Sequence, residues 1–146
     1  MDFPLNENLW LYLPLILWIC GIFFLSSNKG SISNTSRYIT PLLSFLFPTS
    51  DQEYLKTYHF IFRKLTHFLG YAVLALFATL AFYNSRVPFL AQFWYLFAFA
   101  VVLVISSSDE IKQSFYASRI GSVSDVILDC AGGITMIFLI WIYTLT

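Results

Sequence analysis

The sequence predicts an all-α integral membrane protein: a bundle of four transmembrane helices with one interfacial or re-entrant segment in the first linker. Hydrophobic residues make up 58% of the 146 residues and charged residues only 11%, whereas soluble domains are about 45–50% apolar and 25% charged. The apolar residues also form four stretches close to the roughly 20 residues that a helix needs to cross a bilayer. Because so short a chain cannot bury that much apolar surface within itself, lipid is expected to cover it.

The predicted spans are residues 9–26, 65–83, 89–106 and 123–143, within a single domain of residues 1–146. Tryptophan and tyrosine side chains lie near the ends of these spans, where amphipathic rings favour the headgroup layer. No lysine or arginine precedes the first span, so it lacks the basic start of a signal peptide and is expected to remain in the protein.

The linkers between the spans differ in length and character. Residues 84–88 predict a tight turn between the second and third spans. The first linker is much longer and becomes apolar at residues 38–47, a stretch too short to cross the bilayer, which is expected to lie in the interface or against the bundle. Ser50 and Glu53 form a capping box, so a helix is expected to start near Asp51 and to continue into the second span.

The charges predict an orientation but no nucleic-acid partner, since the formal net charge is zero. Of the eight lysine and arginine residues, Arg86 lies alone on one side of the predicted bundle, and the other seven fall in the two linkers of the opposite side. The positive-inside rule makes those two linkers cytoplasmic and both termini external. Cys20 and Cys130 lie within apolar runs and are interpreted as small hydrophobic residues without a disulfide.

Three polar groups occur at the span ends, although a charge inside a membrane segment costs roughly 2.5–3.5 kcal/mol on insertion scales. The first, the basic group, is residues 63–71. It places Lys64, His67 and Tyr71 on one helical stripe, because they are spaced i, i+3, i+7. Each also has a purely structural interpretation: a lysine reaching the headgroups, a hydrogen-bonded core histidine and an interfacial tyrosine.

The acidic group, residues 109–115, directly follows the third predicted span. Asp109 and Gln113 are spaced i, i+4, and Glu110 and Gln113 are spaced i, i+3, so these side chains are neighbours on a helix. Adjacent carboxylates repel each other at low dielectric, and a cation or proton partner is therefore expected. The alternative interpretation is an exposed linker helix.

The mixed group, residues 119–132, combines Arg119 with two aspartates. Asp125 is explained equally well by a capping box with Ser122 at the start of the last helix. Asp129 lies one turn further on the same face, where it cannot be a cap, and it is the residue least explained by structure alone. All three groups are predicted to meet at one membrane face in a pocket suited to an anionic or polar head group.

The predicted ligand-binding residues are Lys64, His67, Tyr71, Asp109, Glu110, Gln113, Arg119, Asp125 and Asp129. No histidine or cysteine spacing follows a standard zinc pattern, and no glycine-rich phosphate loop is present. The sequence therefore predicts no metal and no cofactor.

In their order along the chain, these groups resemble the motifs of the VanZ-like family of bacterial membrane proteins. The residues that carry the resemblance are Arg63, Lys64, Leu65, Thr66, His67, Phe68, Tyr71, Asp109, Glu110, Ile111, Gln113, Phe115, Arg119, Gly121, Ser122, Asp125, Asp129 and Gly132. The resemblance covers most of the chain. It departs at Lys112, where many relatives have histidine, and at Ala117 and Ser118, where they have a Pro-Gly pair.

The resemblance implies a multi-pass protein of the bacterial cytoplasmic (inner) membrane. The family's name comes from a member associated with resistance to the glycopeptide teicoplanin. Because that antibiotic acts outside the membrane, the resemblance favours an extracytoplasmic polar face, opposite to the orientation that the charge count predicts. The orientation thus stays open.

Three functions remain open from the sequence. The first is recognition of a membrane lipid, a lipid-linked cell-wall precursor or a glycopeptide, with Arg119 and Lys64 holding an anionic group. The second is an intramembrane enzyme acting on a lipid-linked substrate, with His67, Glu110 and Asp129 as candidate catalytic residues for proton transfer. The third is an assembly subunit of an envelope complex. The oligomeric state is not predicted.

Overall fold

The computed structural model describes residues 9–27, 41, 42, 44, 45, 52–115 and 121–145. The helices are α1 (Leu9–Leu25), α2 (Gln52–Tyr83), α3 (Pro88–Gln92), α4 (Trp94–Ser114) and α5 (Val123–Leu145). By length and composition α2, α4 and α5 can each cross a membrane. The apolar α1 has 17 residues, which is at the lower end of what spans a bilayer. The prediction of an all-α membrane bundle is confirmed.

Two expectations for the first linker fall largely outside the described residues. The predicted interfacial segment at residues 38–47 is described only at Pro41, Leu42, Ser44 and Phe45, which are helical and exposed. Ser50, the predicted capping residue, also lies outside the described part of the chain, although α2 begins at Gln52 as the capping box predicts.

The third apolar segment differs from its predicted bounds at both ends. Pro88 occupies the first turn of the short helix α3, and Phe93 then leaves helical geometry with φ −109° and ψ 30°, so that α4 begins only at Trp94. At its other end α4 continues to Ser114. The acidic group therefore belongs to the last turns of a membrane-length helix and is not an exposed linker helix.

Consecutive long helices run antiparallel, which makes α2 and α5 parallel to each other. Tyr12 at the start of α1 packs edge-on against Phe82 at the end of α2, with ring centroids 6.0 Å apart. Tyr83 and Trp94 make the same contact between the end of α2 and the start of α4, also at 6.0 Å. The end of α1, the start of α2, the end of α4 and the start of α5 therefore meet at one end of the bundle, called here the polar end.

Small residues form the interface between α2 and its neighbours. Ala75, Ala78 and Ala81 on α2 are fully buried together with Ala98 and Val102 on α4. Lipid chains are as apolar as leucine, so the hydrophobic effect does not drive helices together in a bilayer. Small side chains instead let the backbones approach and gain van der Waals contact.

The closest approach is between α2 and α5, the two helices that share the most extensive contact in the described bundle. A Cβ on Gly132 would overlap the backbone carbonyl of Phe68 on α2, and a Cβ on Gly133 would press on the side chain of Val102 on α4. Gly132 thus fixes the separation of α2 and α5 less than one turn from Asp129.

The distribution of polar side chains is the reverse of that in a soluble protein. Leu17 and Ile127 are more than half exposed, whereas Asp109, Gln113 and Asp129 are completely buried. Carboxylates are almost never fully buried in soluble domains unless they are paired. In lipid, which offers no hydrogen bonds, polar groups must face the bundle interior, and this protein follows that rule.

Replacement of Gly132 by alanine is expected to lower the free energy of unfolding by about 1–3 kcal/mol, because the added methyl forces α2 and α5 apart. Gly70→Ala is the matched control: a Cβ there meets nothing within 4 Å, and alanine favours a helix over glycine by about 1 kcal/mol. Thermal unfolding in detergent compares the two variants. Equal stability of Gly132→Ala and the wild type would contradict the close helix contact.

Candidate functional site

Two side-chain pairs join α2 to α5 at the polar end. Lys64 Nζ forms an ion pair with Asp125 Oδ1 and lies 5.2 Å from the centre of the Phe60 ring. One turn further into the bundle, His67 Nδ1 lies 3.2 Å from Asp129 Oδ1. The steps i, i+3 on α2 and i, i+4 on α5 match because both helices repeat every 3.6 residues and run in the same direction.

A second network ties α4 to α1 and α2 through buried Asp109. Asp109 Oδ2 accepts hydrogen bonds from the Ser26 hydroxyl at 2.6 Å and from Gln113 Nε2 at 2.9 Å. Gln113 Oε1 in turn accepts a long hydrogen bond of 3.5 Å from the Arg63 guanidinium. Three helices are thus connected by one chain of polar contacts.

Glu110 connects α4 to the start of α5. Its Oε2 accepts the backbone N–H of Ser122 at 2.8 Å, and a Cβ on Gly121 would overlap the Glu110 carbonyl oxygen. The N–H groups at a helix start lack partners within the helix, and an acidic acceptor there is favourable. Oε2 of Glu110 therefore has a structural role, whereas Oε1 accepts no hydrogen bond from the described residues.

Several buried carboxylate oxygens at the polar end have no hydrogen-bond donor among the described residues. Within the described residues, Asp109 Oδ1, Glu110 Oε1 and Asp129 Oδ2 are buried and accept no hydrogen bond. Lys64 is already engaged by Asp125. The site is therefore rich in acceptors, and it suits a cation or a group with several N–H or O–H donors.

Three of these side chains can contact one metal ion. His67, Glu110 and Asp129 each offer one ligand atom, and the three atoms lie within 4.8 Å of one another. The sequence predicts no metal at this group, because the three residues come from three different helices and follow no standard spacing. Only the packing of α2, α4 and α5 brings them together.

A pocket of about 340 Å³ lies between α1 and α2 beside this network. The apolar residues that line it include Trp18, Ile22, Leu25 and Phe62, and the polar ones include Ser26, His59, Arg63, His67, Tyr71 and Asp109. Gly21 and Gly70 also line the pocket, and a Cβ on either would meet nothing within 4 Å. The absence of side chains at these two glycines keeps the space open.

The predicted ligand-binding residues that the structure describes all lie toward the polar end, but they do not line one pocket. Tyr71, His67 and Asp109 line the pocket between α1 and α2. The others that are described, Lys64, Glu110, Gln113, Asp125 and Asp129, contribute to the networks between the helices. Arg119 lies outside the described residues.

Ser26, His59 and Arg63 were not predicted as ligand-binding residues, yet they line the pocket. Ser26 is the first polar residue after the apolar run of α1, and Arg63 stands inside the basic group, so both positions carry a signal in the sequence. Ser26 contacts Asp109 of α4, and Arg63 contacts Gln113 of the same helix. The sequence alone does not reveal these contacts.

A model of the VanZ/LLP1 family matches residues 9–144, from the first residue of α1 into the last turn of α5. The chain belongs to the VanZ/LLP1 family. The resemblance drawn from the three polar groups is thereby confirmed. No curated protein and no solved structure matches this VanZ/LLP1 chain.

In this VanZ/LLP1 protein, Ser26→Ala is expected to lower the free energy of unfolding by about 1.5–3 kcal/mol, because it removes a donor from a buried carboxylate. Ser27→Ala is the matched control. The Ser27 hydroxyl donates to the Phe24 carbonyl in the last turn of α1, so its loss should change stability by about 0.5 kcal/mol or less. Thermal unfolding in detergent measures both. Similar effects of the two substitutions would argue against the Ser26–Asp109 hydrogen bond.

Proposed function

We propose that this VanZ/LLP1 protein binds the anionic head group of a cell-envelope lipid in the bacterial cytoplasmic membrane. The lipid would enter the pocket between α1 and α2 from the side, with its chains against the apolar residues that line the pocket. The observation that carries the proposal is the pocket itself, because apolar residues and hydrogen-bonding residues line it together. An amphiphile needs that combination.

The rim of the pocket supports entry from the bilayer. Leu25 and Phe62 line the pocket and are also 68% and 45% exposed on the surface of the bundle. A ligand can therefore pass from lipid into the pocket without crossing water. The volume of about 340 Å³ is near the lower end of the roughly 300–1,000 Å³ typical of ligand pockets. It suits a head group with the beginning of its chains.

Arg63 is the residue best placed to hold an anionic group. A guanidinium carries five N–H donors in a planar fork that matches phosphate and carboxylate oxygens. The contact of Arg63 with Gln113 is long, 3.5 Å, and leaves donors for a ligand. His59, one turn earlier on the same face of α2, lines the pocket beside it. Lys64 is paired with Asp125, so Arg63 is the better candidate.

A second candidate function is favoured by the contact between His67 and Asp129. A carboxylate that orients a histidine is a common arrangement for general acid–base catalysis. His67 also lines the pocket, within reach of a bound head group. This arrangement supports an intramembrane enzyme that acts on a lipid-linked substrate, with Glu110 as a further proton-transfer group. Either function, on a cell-wall precursor, would connect the protein to the glycopeptide resistance that the VanZ resemblance implies.

Lipid retention tests the proposal. Native mass spectrometry of the protein purified in mild detergent should detect an anionic lipid. Arg63→Gln should reduce its retention by about tenfold or more, because a charge-assisted hydrogen bond contributes about 1.5–3 kcal/mol. Gly70→Leu should abolish retention by filling the pocket, while Gly70→Ala adds one methyl and should retain lipid.

Lys56→Gln is the matched control for Arg63→Gln, because Lys56 is an exposed cation on the same helix outside the pocket lining. Equal losses in these two variants would point to general surface charge and against the pocket. Undiminished retention in Gly70→Leu would also contradict the proposal. Chemical conversion of a bound lipid by the wild type but not by His67→Ala would favour the enzyme.

A further inference from the structure

His67, Glu110 and Asp129 form a group that the lipid-binding proposal does not explain. They come from α2, α4 and α5, and one ligand atom of each lies within 4.8 Å of the others. Glu110 is 5% exposed and Asp129 is 0% exposed. Two carboxylates from different helices therefore face the same interior position beside an imidazole.

Each of the two carboxylates has one oxygen that is satisfied and one that is not. Glu110 Oε2 accepts the Ser122 N–H at 2.8 Å, and Asp129 Oδ1 lies 3.2 Å from His67 Nδ1. Glu110 Oε1 and Asp129 Oδ2 are buried and accept no hydrogen bond within the described residues. A buried carboxylate oxygen that has lost water without gaining a donor is unfavourable, so a missing partner is indicated.

Within the described residues, the neighbouring cations do not supply that partner. Lys64 is held by Asp125, and Arg63 reaches Gln113. Only His67 remains within this group to offset two negative charges. Buried charges in proteins are either paired or coordinated to metals, and a single divalent ion balances two carboxylates.

The ligand types indicate which ion fits. One imidazole nitrogen with two carboxylate oxygens suits a divalent transition metal, above all Zn²⁺, which commonly binds three protein ligands and leaves a fourth position open. Ca²⁺ and Mg²⁺ favour sites made of oxygen alone. Zinc–ligand distances are about 2.0–2.2 Å, so the three atoms must move closer together when the ion binds.

We propose that His67, Glu110 and Asp129 bind one divalent transition-metal ion, with Zn²⁺ as the best match. His67 also lines the pocket between α1 and α2, so the proposed ion would share one ligand with that pocket. The open coordination position is available to water or to an oxygen of a bound molecule. This site goes beyond lipid binding and does not depend on it.

Metal binding to the purified full chain tests the site. The protein in detergent is first stripped with a chelator and then titrated with Zn²⁺, and the bound metal is measured by elemental analysis after desalting. One Zn²⁺ per chain is expected, and Co²⁺ in its place should give visible absorption bands of a four-coordinate ion. Zn²⁺ should also raise the unfolding temperature of the stripped wild type, because it binds the folded state.

His67→Ala, Glu110→Gln and Asp129→Asn should each weaken Zn²⁺ binding by more than about 100-fold, since changes even to outer-shell partners cost about 10–100-fold. Glu110→Gln and Asp129→Asn keep the shape of the side chain and remove its charge, so both are expected to fold. His59→Ala is the matched control, because it removes the other described histidine of α2, which is buried and is not part of the group.

Stripped wild-type protein that takes up no stoichiometric Zn²⁺ and shows no rise in unfolding temperature would overturn the site. The site would also be overturned if all three ligand variants kept Zn²⁺ binding, or if His59→Ala lost it equally. The group would then be only a hydrogen bond between His67 and Asp129. Gly70→Leu separates the two proposals, because it should lose lipid and still bind Zn²⁺.

Discussion

The backbone contact between Gly132 and Phe68 is the constraint on which the polar end depends. Two parallel helices that touch at one point have a fixed register along their shared face, so the contact aligns Asp129 with His67 and, one turn away, Asp125 with Lys64. A side chain at Gly132 would separate the helices and lengthen both contacts. Since a buried charge is strongly unfavourable once its partner is removed, the glycine contact and the charged contacts stabilise the same arrangement.

The pocket follows from the way in which α1 is attached. α1 packs mainly on α2 and touches α4 only slightly, and polar bonds hold its end: Ser26 donates to Asp109, and Lys112 Nζ donates to the Phe23 carbonyl at 2.7 Å. A cation near the end of a helix satisfies carbonyls that have no partner within the helix. Gly21 on α1 and Gly70 on α2 contribute no side chains, so a space remains between these two helices and opens at the side of the bundle.

Hydropathy and span length predict the helices, and the alternation of direction predicts that the three polar groups share one face. Hydropathy does not predict that α4 continues to Ser114, because Asp109 and Glu110 resemble the start of a solvated linker until their buried partners are known. The break at Phe93 leaves no signal beyond Pro88. Arg63 stands next to Lys64 in the sequence, and only the packing shows that Asp125 engages Lys64 while Arg63 faces the pocket.

The two proposals together remove an electrostatic conflict that neither removes by itself. An anionic head group is attracted by the donors of Arg63, yet the same pocket borders an interior with several carboxylates, which repel it. A divalent ion on His67, Glu110 and Asp129 would balance two of those charges and would place a positive charge next to His67, which lines the pocket. The proposed ion would thus reduce the repulsion between an anionic ligand near Arg63 and the carboxylates, among them Asp129, whose Oδ2 accepts no hydrogen bond from the described residues.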